Sequence, residues 1–530
     1  MRFFVFQYPR PMHFCLQHRR PKEVGTRSNC VCSPRWLFTR NSRLLALVLC
    51  LNVALVLPAL VHAATGGDAV IYPDSTGQLI TGWGYDIKEG GKASGLTAAY
   101  ARALFVTNRM NCLRLPIYGD ASNPAHPAPG AVVGSYYADT LYAMTNARAA
   151  NSNILLFASK KLDGQSTFPG WTKDSNGIVA SQYAIMLADY LQFMQTNGFT
   201  MDILGIDNER SGNEGNITAS TFDLTIAYLI PEAARRGLTI PRLLIGPENY
   251  GPDTNWLTNL KANIWGNPLG IIGTHYYPQD RPLGKLRALV QLAEGLPVWN
   301  SEVHWRNLSS PSDVIDEAQQ SIGGIFDCID SGLSGYVWWA YGDGGTVQAQ
   351  MQQALTTNLV NTRPVYMDDV DGPSASTQGQ LITRAFASAS RLVVWAINDN
   401  TNSYDNYGFR LMTGVITTNV GYVQWTASSV TTGTASVTTS NIFRLTLPGR
   451  TVTMFTAPYD SLAVLTISRS NSNIVVSWPY PSGNFVLQQS SDLNNGNWET
   501  SSITINTNGA INTLTVSNLT NSLFFRLVAP

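Results

Sequence analysis

Between Thr81 and Tyr341 the chain alternates two textures: short apolar runs, several with β-branched members, and longer stretches whose apolar positions recur at helical spacing. The first texture reads as buried strand and the second as amphipathic helix. Strands are predicted at Thr81–Asp86, Asn111–Tyr118, Asn153–Ser159, Asp202–Glu209, Arg242–Glu248, Gly270–Tyr277, Leu296–His304 and Gly335–Tyr341. Helices are predicted at Leu96–Asn108, Tyr136–Ala150, Val179–Asn197, Thr221–Arg236, Asn255–Ile264, Pro282–Glu294 and Ser312–Ser331. The third of these ends at Gly198, a residue suited to the position just past a helix. Strands separated by helices call for parallel pairing with right-handed crossovers, and eight such units close naturally into a (β/α)8 TIM barrel. An open doubly wound sheet is the structural alternative, but no glycine-rich phosphate loop stands in the required strand and helix context.

The flanks read differently. Ala69–Ile80 looks like a short strand pair that a barrel starting at Gly82 leaves unemployed. Beyond Pro364 the helical period disappears, and alternating runs such as Arg391–Ile397, Val420–Trp425 and Asn441–Leu447 point to an antiparallel β-sandwich. From Asp460 a further small all-β unit follows, with strands at Leu462–Ile467, Asn473–Trp478, Asn484–Gln489 and Ser522–Val528. The expected division is a signal segment over 1–64, N-terminal strands joining the sandwich over 65–81, the barrel over 82–364, the sandwich over 365–460 and the small β module over 461–530.

The first segment reads as a targeting sequence. Arg-rich residues Met1–Arg43 precede the apolar run Leu44–Val61, which leads into the small-residue site Val61-His62-Ala63-Ala64. The long n-region leaves Met12 as an alternative start and a single membrane anchor as the alternative fate. Secretion, or export to a periplasm or cell surface, is the expected localisation, with no membrane association after the signal is removed. Of six cysteines only Cys112 and Cys328 lie outside this segment, so no disulfide framework is expected and both should be free and buried.

Charge narrows the function classes. Net charge is +0 and charged residues make up only 13% of the chain, which argues against nucleic acid or an anionic membrane surface as partner. No Cys and His cluster has zinc-ligand spacing and no acidic calcium loop occurs, so neither metal nor cofactor is expected. The abundance of aromatics, 13 Trp and 22 Tyr, suits the stacking faces of sugar rings, although a large core would use them equally. Oligomeric state is unreadable.

In a parallel barrel all strand ends open on one face. Those ends carry Trp83, Arg114, Asn208, Glu209, Glu248, His275, Tyr277, Glu302, Trp338 and Trp339. Two glutamates on separate strand ends, Glu209 and Glu302, suggest the carboxylate pair that glycosidic cleavage requires; the bland alternative is a pair of solvated loop acids. Glu248 could line the cleft or form a structural salt bridge, and Asp207 is expected to bond backbone. Asn213-Glu214 repeats the Asn-Glu pair in a glycine-rich loop rather than at a strand end. Of Trp338 and Trp339 one must face away, because successive strand residues point to opposite sides.

Leu113-Arg114-Leu115, Asn208-Glu209, His275-Tyr276-Tyr277 and Glu302 at the second, fourth, sixth and seventh strand ends resemble the clan A retaining glycoside hydrolases. Gly82-Trp83-Gly84, Trp338-Trp339 and the trailing sandwich look most like glycoside hydrolase family 30, with an added Ig-like or fibronectin-like C-terminal module. The resemblance implies Glu209 as general acid/base and Glu302 as nucleophile, about 5–5.5 Å apart. It further implies Asn208 on the sugar 2-hydroxyl, Tyr277 and Arg114 orienting Glu302, and Trp83, His275 and Trp338 or Trp339 binding substrate. Family members commonly carry proline after the acid/base; here Arg210 stands in its place. The substrate expected is a β-linked polysaccharide or glycoconjugate, with xylan, β-1,6-linked glucan or galactan and glucosyl lipids as candidates. Lyase or transglycosylase action, and a non-catalytic carbohydrate-binding or surface-adhesion role, are the alternatives.

Overall fold

The computed structural model describes residues 69–530 apart from 89–90, 120–124, 162–167, 209–216, 247, 249–252, 263–269, 278–282, 305–313, 343–345, 370–380, 413, 417–418, 439–440, 461–464, 471–472, 480–485, 492–496, 509–510, 518–522 and 529–530. The targeting segment, Glu209, Arg210 and Glu214 therefore lie outside the described residues.

Strand β1 (Ala69–Thr76) precedes a closed barrel of eight parallel strands. These are β2 (Gly82–Asp86), β3 (Cys112–Ile117), β4 (Leu155–Lys160), β5 (Ile203–Gly205), β6 (Arg242–Ile245), β7 (Ile271–His275), β8 (Val298–His304) and β9 (Gly335–Ala340), with β9 paired back to β2. Side-chain alternation sorts each strand into two faces. One face packs outward on the helices through residues such as Leu113, Leu156, Leu204, Leu243 and Ile272. The other fills the barrel with Cys112, Phe157, Ile203, Leu244, Ile271, Trp299 and Val337.

That interior closes because large side chains face glycines. A Cβ at Gly82 would come within 2.5 Å of the Trp299 ring, and one at Gly335 would overlap the same ring. Gly273 likewise leaves room for Leu244. Packing so dense tolerates no extra methyl group without backbone movement, so Gly335→Ala should cost about 1–3 kcal/mol. Urea unfolding checks this; an unchanged midpoint would show that Trp299 is free to move aside.

The helices surround this core at Ala138–Ala150, Ala180–Thr196, Ala219–Arg235, Thr254–Ala262, Gly284–Leu292 and Val314–Asp330. Gly198 adopts φ 87°, the left-handed conformation that ends a helix. Two of the helical stretches differ from the sequence reading. Leu96–Asn108 is not one α-helix: Ala98–Arg102 is α-helical and Ala103–Thr107 forms a π-turn. Val347–Leu359, which no apolar periodicity marked, is a helix capped by Thr346, whose side chain accepts from the Ala349 N–H.

Ala69–Ile80 yields one strand rather than a pair, with a register shift between Tyr72 and Thr76. It pairs antiparallel with Arg363–Asp369 and parallel with Tyr404–Leu411, inside a ten-stranded sheet built otherwise from residues 363–460. The sheet folds over itself, so that Phe409 and Phe443 pack on Phe455 at ring distances of 5.1 and 5.2 Å. Its barrel-facing side carries Phe386 and Trp395, which meet Phe326 of the last-but-one helix. Arg384 with Asp330 and Arg450 with Asp316 add ion pairs across that contact. The final strands, from Thr466 to Val528, form two small sheets around Val476, Trp478, Leu487 and Leu514. Cys112 and Cys328 are buried, and neither forms a disulfide among the described residues. No helix among the described residues is long and apolar enough to cross a membrane.

Candidate active site

Two residues above Cys112 on β3, the same alternation turns Arg114 into the barrel, directly over the hydrophobic plug. Arg114 is fully buried and its guanidinium is the hub of the carboxyl-terminal face. Nη1 donates to Asp86 Oδ2 and to Glu302 Oε2, each at 2.7 Å. Nη2 donates to Glu248 Oε1 at 2.8 Å, Asn208 Oδ1 at 2.5 Å and Ser159 Oγ at 3.2 Å. Burial alone lowers an arginine pKa, but the charges of Glu248, Asp86 and Glu302 outweigh it and raise that of Arg114.

Glu302 reaches this hub through a bulge. Trp299 points into the barrel and pairs with Gly273, and Asn300 points out and pairs with Thr274, so strict alternation would send Glu302 outward. Instead Glu302 pairs with His275, one residue beyond Thr274. The extra residue, Ser301, reverses the face and delivers the carboxylate inward. There Tyr277 donates its hydroxyl to Glu302 Oε1 at 2.5 Å while Arg114 holds Oε2. Asn300, left facing out, clamps the chain just past the end of the neighbouring strand β7 by accepting from the Tyr276 N–H and donating to its carbonyl.

Glu248 is held by different means. It has φ 46°, strained for a side chain of this size, and its Oε2 accepts from Ser159 Oγ at 2.9 Å. A Cβ at Gly205 would lie 2.9 Å from that oxygen, so the glycine makes room for the carboxylate. His275 Nε2 stands 3.6 Å from Glu248 and 3.8 Å from Glu302. Lys88, almost fully buried beyond the end of β2, donates to Asn208 Oδ1 at 2.5 Å and lies 3.8 Å from Glu302 Oε2. At the rim the Tyr277 ring meets His304 at 4.7 Å, and His304 meets Trp339 edge-on at 5.8 Å. Lys92 lies 5.1 Å from the Trp339 ring.

Burial raises the pKa of Glu302, but His275, Arg114 and Lys88 together with the Tyr277 hydroxyl outweigh it and hold the carboxyl well below the usual range. Glu248 is likewise raised by burial and lowered further by Arg114, His275 and Lys88, to about 2. Both folded pKa values lie below the unfolded value of about 4.3, so the unfolded chain binds more protons as the solution turns acid. The stability these groups contribute is complete above that value and is lost as pH falls from about 4.3 towards 2. Melting temperature should therefore fall across this window in the wild type; in Glu248→Gln the fall should be shallower, and equal slopes would contradict it.

Arg114, Asn208, His275, Tyr277 and Glu302 thus converge, with Trp339 at the rim. Trp83 and Trp338 do not join them. Both lie in the outer layer beneath the helices, 6.1 Å apart, and the Trp338 indole donates to Thr356 Oγ1. The reason is parity: Gly82, Gly84 and Asp86 face inward on β2, so Trp83 faces out, and Val337 faces inward on β9, so Trp338 faces out. Reading Trp83 towards the cleft also hid Asp86 and Lys88, which share the opposite face. Asp207 accepts from the Asn208 N–H at 2.9 Å. Glu209 follows Asn208 in the chain, outside the described residues.

No protein-family model matches the sequence. Glucuronoxylanase XynC of Bacillus subtilis is 24% identical over 291 residues, a match covering 52% of this chain and 65% of the relative, so the chain spans a little under two thirds of the curated relatives it matches. Among solved structures, a family 30 endoxylanase from Clostridium papyrosolvens superposes with a TM-score of 0.55 at 17% identity, covering 74% of this chain and 100% of that one. A family 30 subfamily 8 xylanase from Clostridium acetobutylicum gives 0.56 at 18% identity, with the same coverage. The chain therefore resembles a glucuronoxylanase in sequence, and its fold is the TIM barrel with β-rich domain of those family 30 structures.

Proposed function

We propose that the protein is a retaining glycoside hydrolase that cleaves β-linked polysaccharide, with xylan as the first substrate class to consider. The observation that carries this reading is Glu302: a buried, ionised carboxylate at the mouth of a TIM barrel, gripped at both oxygens by Arg114 and Tyr277. A carboxylate so held is preorganised to attack the anomeric carbon, and the same groups accept it back when it leaves. Glu209, the residue after Asn208, protonates the departing oxygen and then activates water to release the glycosyl-enzyme. Asn208 holds the sugar 2-hydroxyl, and His275, His304 and Trp339 line the subsite. Xylan is favoured because the curated relative is a glucuronoxylanase and the structural neighbours include xylanases. Secretion belongs to the same proposal and rests on Leu44–Val61 and the small residues that follow.

The test is release of reducing ends from xylan, glucuronoxylan, β-1,6-glucan and β-1,4-glucan by the chain from Thr65 onward. Xylan-type substrates should be cleaved fastest, and Glu209→Ala should slow the first step least for substrates with good leaving groups. Binding to a polysaccharide without turnover of any would overturn the enzymatic reading in favour of a carbohydrate-binding protein.

A further inference from the structure

Lys88 helps His275, Arg114 and the Tyr277 hydroxyl to keep Glu302 ionised, and the mechanism above gives it no further task. Its ammonium is buried, 2.5 Å from Asn208 Oδ1. An amide side chain has two acceptor positions on its oxygen and two donor hydrogens on its nitrogen, and little intrinsic preference for which end points where. On Asn208 both acceptor positions face cations, since Arg114 Nη2 also lies 2.5 Å from Oδ1. Turning the amide over would exchange two charge-assisted hydrogen bonds for an NH2 group pressed against two positive charges. The carbonyl is therefore fixed inward and Nδ2 outward, where no group among the described residues accepts from it.

The two cations are not redundant. Arg114 is placed by three acids, Asp86, Glu248 and Glu302, and would sit where it does without Asn208. Lys88 comes from another strand end and is placed locally, its N–H donating to Asp86 Oδ1 at 2.6 Å. Its ammonium approaches the amide from a second direction, which is what rotation about the last side-chain bond requires to be stopped.

We propose that Lys88 is a positioning residue that acts with Arg114 to hold the Asn208 carbonyl oxygen, and so aims the Asn208 amide nitrogen at the bound sugar; this rests on the glycosidase reading above. Asn208 then serves the sugar hydroxyl as a donor only, from a fixed direction. Lys88→Met keeps the stem and removes the ammonium, while Asp86, Arg114, Glu248, His275 and Glu302 all remain.

The experiment is a double-mutant cycle on kcat for an aryl β-xyloside, with Lys88→Met, Asn208→Ala and the double variant. Loss of one charge-assisted hydrogen bond predicts a fall of about 10- to 100-fold for Lys88→Met. The double variant should be no slower than Asn208→Ala, because Lys88 acts through Asn208. Lys88→Arg, which restores a donor, should recover part of the rate and shows whether the site folds when the methionine variant does not. Multiplying effects in the double variant would overturn the proposal. A second measurement is independent of turnover: neutron or atomic-resolution diffraction, which separates Oδ1 from Nδ2, on the wild type and Lys88→Met. The amide should leave its wild-type orientation in the variant, and an unmoved amide would overturn the proposal. A wild type that cleaves nothing would remove the glycosidase reading and still leave the diffraction result to decide the link between Lys88 and Asn208.

Discussion

Glu302→Ala will abolish hydrolysis, with kcat falling on the order of 10⁵-fold as expected when the nucleophile of a covalent mechanism is removed. The general acid, the subsite and Arg114 all remain, so what is lost is bond formation at carbon. Azide at high concentration should then restore turnover of an aryl glycoside with a good leaving group. The truncated side chain leaves room for a small anion beside Arg114 and Tyr277, the two groups that held the carboxylate. Azide would attack from the face that Glu302 occupied, giving a glycosyl azide of inverted configuration, because no second displacement follows. NMR of the product distinguishes the cases. Substantial residual hydrolysis, or no response to azide, would mean that Glu302 only binds substrate.

Arg114→Met should produce the largest loss of stability. The guanidinium is fully buried and bonded to Asp86, Glu248 and Glu302, three carboxylates that are themselves out of water or nearly so. Removing one partner of a buried ion pair costs about 3–5 kcal/mol, since the remaining charge stays buried and uncompensated. Here three are left, with Lys88, 3.8 Å from Glu302, as a neighbouring basic group among the described residues. The cost has a predictable pH dependence. Arg114 is one of the charges that hold the Glu248 and Glu302 carboxyls low; without it their pKa values rise, so in mild acid they take up protons and the repulsion fades. The difference in unfolding free energy between wild type and variant should therefore be large at pH 7 and smaller near pH 4. A difference below about 1 kcal/mol at pH 7, the size typical of exposed pairs, would contradict the burial on which it rests.

The barrel was legible because its strands are short, apolar and regularly spaced by helical stretches, and every barrel strand lies within a few residues of its expected place. Arg114, Asn208, His275, Tyr277 and Glu302 were legible for a related reason: polar residues that end an apolar run in a parallel barrel share one opening. What stayed hidden depends on which face of a strand looks inward, and period-two alternation leaves that choice open until the interior is packed. On β2 the choice follows from Trp299, whose ring needs glycine at 82 and 335 and so turns Trp83 and Tyr336 out. No local signal around Trp83 carries this, because Trp299 comes from a distant strand. Glu302 shows the opposite case. Simple alternation would have placed it wrongly, and it was found by its position at a strand end, not by parity; the bulge at Ser301 is invisible in the residue pattern. The helix Val347–Leu359 was missed for want of an amphipathic stripe, its buried face holding Gln348, Gln352 and Thr356 beside Met351 and Leu355. Gln352 is satisfied there by the Ala340 carbonyl and the Gly342 N–H, contacts that only the folded chain supplies.

The central claim is that Glu302 forms a covalent bond to sugar, and it is tested most directly by trapping that bond. A 2-deoxy-2-fluoro glycoside with an activated leaving group, matched to the sugar the protein cleaves, should label the wild type once and stop turnover. Peptide mapping by mass spectrometry should then find the adduct on the fragment that carries Glu302. An adduct on Glu248 or Asp86, the other buried carboxylates bonded to Arg114, or no adduct from a substrate whose first product has inverted configuration, would contradict the account.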